Sequence, residues 1–388
     1  MKLLVVAPFY RFFVKDMTEA ISNHVEQTNV LVHHNRLSEL APYIPFSYFR
    51  HVEKYSKKNL VDLSNLPENV HVNIISTLYL RPDGSNFGLG DKLFKMFSKF
   101  IERNKIEFDL IHAHFTWPSG YAAVRLGREF DVPVVVHIHE NRDWFLSEYN
   151  SGNEKIYWTW KNADALIRVN KKDVPLLMEF NPNVFSVPNG FNPERIKVMQ
   201  KDDARKLLKL PSDKKIIFAL GALIERKGFH YLIEGMAKVV KERDSVLCFI
   251  GGSGPLKDKL EKQIHHLNLQ NYVKLLGFVP DEELAYWMNA ADLFVLPSLS
   301  EGNPTVMFEA LGVGLPFVGT AVGGVPEIIT SEDYGLLCPP ADPECLAEKI
   351  LIALDKEWDR EKIRKYAEQF TWENIAMKTL EVYKEVLG

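Results

Sequence analysis

Apolar and polar positions follow two patterns that alternate along the whole chain. Short apolar runs, typical of strands buried in a parallel sheet, are separated by longer amphipathic stretches with helical spacing. In the first half the predicted strands are KLLVVA (2–7), VLVHH (30–34), VHVNII (70–75), DLIHA (109–113), VPVVVHI (132–138), ALIRV (165–169) and VFSVP (184–188). In the second half they are KIIFALG (215–221), SVLCFIG (245–251), VKLLG (273–277), DLFVLP (292–297) and PFVGT (316–320).

This alternation predicts an α/β protein with two doubly wound parallel sheets. The turn signal Asn181-Pro182-Asn183 divides it into a first domain over 1–183 and a second over 184–370. Open α/β sheets bind ligands at the carboxyl ends of their strands, so two such domains facing each other would form a central cleft. A final amphipathic helix is predicted over 371–388.

Composition fits a two-domain protein without strong charge. The 388 residues are 46% hydrophobic and 25% charged, and the net charge of −4 gives no general field that would attract nucleic acid. The three cysteines form no cluster with metal-binding spacing, which favours a reducing compartment. The N-terminal MKLLVVAPFY reads as a strand rather than a signal peptide, so we expect a cytoplasmic protein.

The segment 300–328, SEGNPTVMFEALGVGLPFVGTAVGGVPEI, carries the most specific chemistry. Asn303 is predicted to cap a helix with Pro304 at its first position, so that the free N–H groups at Gly302–Thr305 face an anion. Glu301 and Glu309 would repel a phosphate unless they bind hydroxyls, so a sugar nucleotide is favoured. A capped core helix with two surface acids is the plain alternative.

Glu301-x7-Glu309, with GNPTV and GGVPE around it, closely resembles the donor site of retaining family-4 glycosyltransferases (glycosyl transferases group 1) of GT-B fold. The resemblance continues through most of the second half and more thinly through the first. The segments that carry it are VPNGFNPERI (187–196), LGALIERKGFHYLIEG (220–235), IGGSGPLKDKLE (250–261), LLGFVPDEELAYWMNAADLFVLPSLSEG (275–302), FTWENIAMKTLEVYKEVL (370–387), FDLIHAHFTWPSGYAA (108–123) and VPVVVHIHE (132–140).

The resemblance implies two Rossmann-like domains facing a central cleft, with the final helix crossing back to the first domain. It also implies transfer of a hexosyl unit from a UDP- or GDP-sugar to a glycan, glycolipid or small-molecule acceptor, with retention of anomeric configuration. No metal and no cofactor are expected, and no Asp-x-Asp cluster stands near the donor motif. A sugar-nucleotide epimerase of GT-B fold and a non-catalytic donor-binding subunit remain as alternatives.

On the phosphate side, Lys227 aligns with the lysine of the family motif, whereas the motif arginine falls on Ala222. Arg226 is the residue that would supply the missing guanidinium; otherwise the site has one cation fewer, or the pair is solvated surface charge. The resemblance assigns sugar hydroxyls to Glu301 and the ribose to Glu309. The predicted donor-binding set is Gly221, Arg226, Lys227, Gly277, Phe278, Val279, Glu301, Gly302, Asn303, Pro304, Thr305 and Glu309.

On the acceptor side, His139 aligns with the family histidine that faces the donor sugar, and a structural histidine is the alternative. With Arg226, Lys227 and Glu301 it completes the predicted catalytic set. His137 shares its strand face, and His112 and His114 repeat the spacing, but no cysteine or carboxylate completes a zinc site. The first loop, PFYRFFVKD (8–16), lacks the family glycines, so either Arg11 or Lys15 would contact phosphate instead, or the aromatic residues would close the cleft differently.

Two further segments bear on the acceptor. Residues 91–105 form an amphipathic helix with a phenylalanine stripe and a basic face, which would either pack on the neighbouring sheet or contact the inner face of a membrane. Membrane contact would favour a lipid-linked acceptor. Residues 36–90 are the least regular part, and they either shape an acceptor site or form a peripheral packing insertion.

Overall fold

The computed structural model describes residues 1–39, 55–79 and 88–388. They form two compact units, one comprising Met1–Pro188 together with Trp372–Gly388 and the other comprising Asn189–Thr371. Each unit contains one parallel sheet with helices packed against it. The predicted pair of Rossmann-like domains is therefore confirmed.

The first unit contains a seven-stranded sheet in the order β3-β2-β1-β4-β5-β6-β7. Its strands are β1 (Lys2–Ala7), β2 (Gln27–Asn35), β3 (Val70–Thr77), β4 (Leu110–His114), β5 (Val134–Ile138), β6 (Ala165–Arg168) and β7 (Val184–Ser186). Its helices are α1 (Phe12–Ser22), α2 (Lys57–Leu60), α3 (Leu89–Asn104), α4 (Tyr121–Phe130), α5 (Arg142–Tyr149), α6 (Glu154–Asn162), α7 (Val174–Met178) and the final helix, Trp372–Leu387.

The second unit contains a six-stranded sheet in the order β10-β9-β8-β11-β12-β13. Its strands are β8 (Lys215–Leu220), β9 (Val246–Gly251), β10 (Val273–Gly277), β11 (Leu293–Leu296), β12 (Phe317–Thr320) and β13 (Gly335–Cys338). Its helices are α8 (Lys201–Leu207), α9 (Phe229–Glu242), α10 (Lys257–His266), α11 (Asp281–Ala290), α12 (Thr305–Gly312), α13 (Val325–Ile328), α14 (Pro343–Asp355) and α15 (Arg360–Ala367). We number the final helix, Trp372–Leu387, α16.

Both sheets reverse their strand order once, and these points decide where ligands can bind. In the first sheet the reversal falls between β1 and β4, and in the second between β8 and β11. Loops that leave neighbouring strands on opposite faces of the sheet diverge there and leave a crevice at the carboxyl edge. The loops after β8 and β11 carry Lys227 and Glu301, so the predicted donor residues lie at the reversal of the second sheet.

One domain boundary and one strand differ from the sequence prediction. The predicted division between 183 and 184 falls too early, because Val184–Ser186 pairs with β6 and belongs to the first sheet. The strand Gly335–Cys338 was not predicted, because four residues beginning with glycine carry little periodic signal. The predicted return of the last helix is confirmed, since Ile375, Leu380 and Tyr383 are buried in the core of the first unit.

The amphipathic helix predicted over 91–105 is present as α3, and its apolar stripe is already in use. Leu93, Phe94, Phe97 and Ile101 are buried in the core of the first unit, so the stripe cannot enter a membrane. Membrane contact by α3 stays a prediction, and it would have to involve the exposed basic face of the helix. No helix among the described residues has the length and hydropathy needed to cross a bilayer. Of the segment 36–90, residues 40–54 and 80–87 lie outside the described residues.

Candidate functional site

Lys227, Arg226 and Glu301 form a compact ion cluster in the second unit. Lys227 Nζ donates to Glu301 Oε1 at 2.5 Å, and Arg226 Nη1 donates to Glu301 Oε2 at 3.1 Å. Ser298 Oγ also donates to Glu301 Oε1, at 2.6 Å. Two cations and one carboxylate leave the cluster with one positive charge in excess, which suits it to an anionic ligand.

The charges of the cluster keep Glu301 ionised although it is buried. Burial by itself would raise the pKa of this carboxyl group, but the charges of Lys227 and Arg226 and the hydrogen bonds of Lys227 and Ser298 hold the pKa below its ordinary value. The side chain of Arg226 is 28% exposed and that of Lys227 12% exposed. Both cations therefore remain accessible from solvent, while the carboxylate lies behind them.

Two glycines allow the loops around this cluster to approach one another. Gly228 has φ 65°, and a Cβ placed there would lie 2.0 Å from the carbonyl oxygen of Pro297, at the end of β11. Gly323 has φ 53°, and a Cβ there would lie 1.9 Å from the carbonyl oxygen of Glu301. Side chains at either position would force the loops apart, so these glycines set the geometry of the cluster.

Helix α12 begins beside the cluster, but its start differs from the prediction. The helix begins at Thr305, Pro304 is its N-cap, and no side chain caps it. The side chain of Asn303 instead accepts a hydrogen bond from the backbone N–H of Asn189 at 2.9 Å. Asn303 is therefore not the N-cap: its amide is held by another loop, and the first N–H groups of the helix receive no capping side chain.

The burial along this helix start indicates which groups a ligand can reach. Glu301, Gly302, Asn303 and Pro304 are buried, whereas Thr305 is partly exposed. The first N–H groups of a helix carry the positive end of its dipole and bind phosphate readily. Thr305 is thus the first residue of the predicted anion-binding stretch that solvent reaches, whereas the Gly302 carbonyl accepts a hydrogen bond from Gly324 N–H at 2.8 Å.

The second carboxylate of the motif, Glu309, lies on α12 and is also buried and paired. Arg195 donates through Nη2 to Glu309 Oε1. Arg195 comes from the segment 187–196, which the resemblance included without assigning a role to this residue. The pair carries no net charge, so Glu309 can accept hydrogen bonds from neutral hydroxyl groups without repelling a nearby phosphate as strongly as an isolated carboxylate would.

The remaining predicted donor residues lie along the same edge of the second sheet. Gly221 follows β8, and a Cβ there would lie 3.5 Å from the Lys227 side chain. Gly277, with Phe278 and Val279 after it, ends β10, which is separated from β8 by β9. Phe278 is 75% exposed. An exposed ring at the strand end can stack on a flat ligand, but no contact joins it to the Glu301 cluster.

Four histidines form a buried stack in the first unit, as their spacing in the sequence predicted. Strands β4 and β5 are paired with His114 opposite His137, which puts all four rings on one face of the sheet. His114 Nδ1 and His139 Nε2 are 2.9 Å apart, and the OH of Tyr383 is 2.6 Å from His112 Nδ1. His139 is 9% exposed and ends the stack at the carboxyl edge of the sheet.

Burial keeps the inner histidines of this stack neutral. It lowers the pKa of His114 to about 3, and it lowers the pKa of His112 and His137 well below the ordinary value. Each neutral imidazole has one N–H and one acceptor nitrogen. The hydrogen bond between His114 and His139 therefore fixes the orientation of the His139 ring, so His114 is a positioning residue for His139.

The stack also contains the one group among the described residues whose composition would suit a metal ion. Nitrogen atoms of His112, His114 and His137 lie within 4.8 Å of one another. However, His137 is inclined by only 15° to His112 and by 18° to His114. A nitrogen ligand binds a metal with the lone pair in its ring plane, so stacked rings would have to turn before they could share an ion. The predicted absence of metal stays a prediction.

The first loop holds Arg11 and Lys15 in contacts within the first unit. Lys15 is buried, and its Nζ donates to Asp62 Oδ2 at 3.0 Å and to Ser64 O at 2.6 Å. Arg11 Nη1 donates to Asn59 O at 3.0 Å. Both side chains thus anchor α2 and the segment after it, and their contact with phosphate stays a prediction.

The sequence did not predict a role for three residues of the site: Ser298, Asn189 and Arg195. Ser298 stands at the end of β11, and a polar residue at such a strand end was the only signal for it. Asn189 and Arg195 each pair with a residue 114 positions later in the chain. Partners at that separation carry no periodic signal, although both lie in a segment that the resemblance had marked.

Comparisons with known proteins identify the family of the chain. Residues 200–370 match the family model for glycosyl transferases group 1, and residues 60–195 match that for glycosyltransferase family 4. The two family models thus indicate a glycosyltransferase, and the fold is the GT-B fold of similar solved structures. The chain belongs to the group 1 glycosyltransferases, the family that its donor motif resembles.

One relative and two solved structures illustrate the similarity. The chain is 29% identical over 352 residues to an uncharacterized glycosyltransferase of Methanocaldococcus jannaschii, covering 84% of this chain and 89% of the relative. Sucrose-phosphate synthase from Thermosynechococcus elongatus superposes with a TM-score of 0.79 at 21% identity, covering 99% of this chain and 98% of the other. Anabaena Alr3699/HepE in complex with UDP-glucose superposes with a TM-score of 0.72 at 19% identity, covering 99% and 100%.

Proposed function

We propose that the protein transfers a hexosyl unit from a UDP- or GDP-sugar to a glycan, glycolipid or small-molecule acceptor, with retention of anomeric configuration. The observation that carries this proposal is the net positive cluster of Lys227, Arg226 and Glu301 beside the uncapped start of α12. Cations and helix N–H groups together are the usual means of binding a diphosphate. The solved neighbour with UDP-glucose supports a uridine nucleotide as the first donor to test.

In the proposed reaction, the bond between the anomeric carbon and the donor phosphate breaks and a new bond to an acceptor oxygen forms. The departing diphosphate gains charge, which Lys227, Arg226 and the N–H groups at Thr305 stabilise. The family's front-face route passes the proton of the acceptor hydroxyl to the leaving phosphate, so no protein base is required. The family resemblance gives His139 the role of positioning the donor sugar.

The two carboxylates have different roles in this proposal. Glu301 holds Lys227 and Arg226 in place through both of its oxygens and offers its remaining acceptor capacity to the sugar hydroxyls. Glu309 accepts hydrogen bonds from the ribose hydroxyls, and its carboxylate is oriented by Arg195. Arg226 and Lys227 both bond to Glu301. This arrangement supports the proposal that the guanidinium of Arg226 replaces the one missing at Ala222.

A donor panel tests the proposal. The protein is incubated with UDP- and GDP-sugars, and nucleoside diphosphate release is measured with and without a membrane lipid extract as the source of acceptor, each with and without EDTA. Release that requires the acceptor and survives EDTA would support metal-independent transfer. Donor binding with no turnover would indicate a donor-binding subunit, and conversion of the donor sugar without acceptor would indicate an epimerase.

A further inference from the structure

A cavity of about 210 Å³ opens at the carboxyl edge of the first sheet. Its wall is dominated by six aromatic side chains: Phe9, Tyr55, Tyr79, Phe115, Trp117 and Trp144. Cavities that bind small molecules are typically concave, mostly apolar and provided with few polar groups. The cavity is large enough for a single ring or a short chain and too small for a whole glycan.

The position of the cavity within the fold is that of a ligand site. Phe9 follows β1, Tyr79 follows β3 and Phe115 follows β4, so the wall spans the point where the strand order reverses. His139 follows β5, the next strand of the sheet, and its ring centroid is 5.4 Å from that of Phe115. One wall of the cavity is therefore in contact with the predicted catalytic histidine.

The chemistry of the wall favours a hydrocarbon ligand. None of the described side chains in the wall is charged at neutral pH, and burial lowers the pKa of the only imidazole, His33, to about 4. A sugar ring in such a cavity would lose hydrogen bonds to water with few replacements, which costs free energy. For an apolar group, each methylene buried in the cavity makes binding more favourable.

We propose that this cavity receives an uncharged hydrocarbon group of the acceptor, so that the acceptor is amphiphilic and its reactive hydroxyl lies near His139. This inference rests on the proposed glycosyl transfer and names the chemical class of its acceptor. It also gives a role to the irregular segment 36–90, whose described parts contribute Tyr55, Leu60, Tyr79 and Leu89 to the wall. An alkyl chain and an aromatic ring are the two sources of such a group.

Titration calorimetry with three glucosides tests the proposal. Methyl, n-hexyl and phenyl β-D-glucopyranoside share one sugar and differ only in the hydrocarbon, and all are used below micelle-forming concentrations. The hexyl or the phenyl glucoside should bind at least about tenfold more tightly than the methyl glucoside. The tighter of the two identifies an alkyl chain or an aromatic ring as the preferred group. Equal affinity for all three would overturn the proposal.

Variants locate the binding. Trp144 is 43% exposed, so Trp144→Ala should leave the fold intact while removing the preference, and Trp144→Phe should retain it. Met178→Ala, which changes another exposed apolar side chain of the first unit, should leave the preference unchanged. A preference that survives Trp144→Ala in full, or is lost equally in Met178→Ala, would overturn the assignment to this cavity.

UDP and GDP titrations of the same proteins separate this inference from the proposed function. If UDP or GDP binds but the glucosides show no preference, the cavity assignment fails and donor binding stands. If the preference depends on Trp144 but neither nucleotide binds, the hydrocarbon site stands and the proposed donor chemistry fails. Trp144→Ala should leave nucleotide affinity within about twofold, because Trp144 is not among the residues predicted to bind the donor.

Discussion

Asn189 and Asn303 hold two loops of the second unit together through a pair of hydrogen bonds. The backbone N–H of Asn189 donates to Asn303 Oδ1 at 2.9 Å, and the side-chain amide of Asn189 donates to the Asn303 carbonyl oxygen at 2.7 Å. Both residues are buried. The start of the second unit thus fixes the residue that directly precedes Pro304 and helix α12, so the linker and the helix start form one structural element.

Asn189→Ala should therefore destabilise the second unit and disturb the helix start. The variant removes one hydrogen bond and leaves the Asn303 carbonyl without that donor in a buried position, which costs roughly 1–3 kcal/mol. Urea unfolding should show the loss, and UDP affinity should fall with it. Asn192→Ala, a change in the same segment outside this pair, is the control. An Asn189→Ala protein with unchanged stability and UDP affinity would refute this role.

Lys227→Met should abolish most of the turnover. The change removes the closest cation from Glu301 and from the leaving diphosphate, and the loss of one such group typically costs about 100- to 1,000-fold in kcat. Initial rates of nucleoside diphosphate release measure it. Lys259→Met is the matched control, because Lys259 pairs with Glu225 on the surface of the same unit at 2.9 Å. Near-normal kcat in Lys227→Met would remove Lys227 from the site.

Arg195→Gln should weaken donor binding more than it slows the chemical step. Without the guanidinium, Glu309 keeps its carboxylate but loses its orientation, so KM for the donor should rise about tenfold while kcat changes less. Arg195→Lys should recover part of the affinity, because a cation remains near the carboxylate. Arg243→Gln, which breaks the exposed pair with Asp355, should have no effect on KM. A fall in kcat alone would show that Arg195 does not act through donor binding.

The buried histidines should make the protein less stable as the pH falls below neutral. A histidine whose pKa is depressed in the folded state binds its proton only after unfolding, so the free energy of unfolding decreases as the pH falls below 6.5, the ordinary value. For His114 this decrease continues to about pH 3. Each such group contributes about 1.4 kcal/mol per pH unit, or roughly 2 kcal/mol between pH 6.5 and 5.0.

His137→Phe tests this pH dependence. The variant should lose less stability than the wild type between pH 7.5 and 5.0, because it carries one buried histidine fewer. Urea unfolding at the two pH values gives the difference. The matched control is His71→Phe, whose side chain is exposed in the folded protein. Identical pH dependence in His137→Phe and wild type would contradict the neutral, buried histidine stack.

The sequence predicted those features that short-range patterns determine. Apolar runs located most strands, and the spacing His112-x-His114 and His137-x-His139 predicted shared faces that the strand register confirms. The convergence of Lys227 with Glu301 also followed, because both stand just past strands that the resemblance placed together. The predictions that are wrong depend on distant partners. Asn303 was predicted to cap a helix, whereas its side chain accepts a hydrogen bond from the backbone N–H of Asn189.

The sequence also did not show which charged groups pair with one another. Arg226, Lys227 and Glu301 were predicted as separate ligands of phosphate and sugar, whereas they form one cluster with each other. The apolar stripe of α3 could have faced a membrane or a sheet, and only its packing against the core decides between them. The aromatic cavity gave no signal in the sequence, because its wall comes from separate stretches spread between Pro8 and Trp144.

The central claim is that the second unit binds the diphosphate of a nucleotide sugar through Lys227, Arg226 and the start of α12. A crystal structure of the protein with UDP tests it most directly. The account predicts β-phosphate oxygens within hydrogen-bond distance of Lys227 Nζ and of the N–H groups at Thr305, with the ribose hydroxyls on Glu309. A nucleotide bound elsewhere, or bound here with its phosphates turned away from Lys227 and Thr305, would contradict the claim.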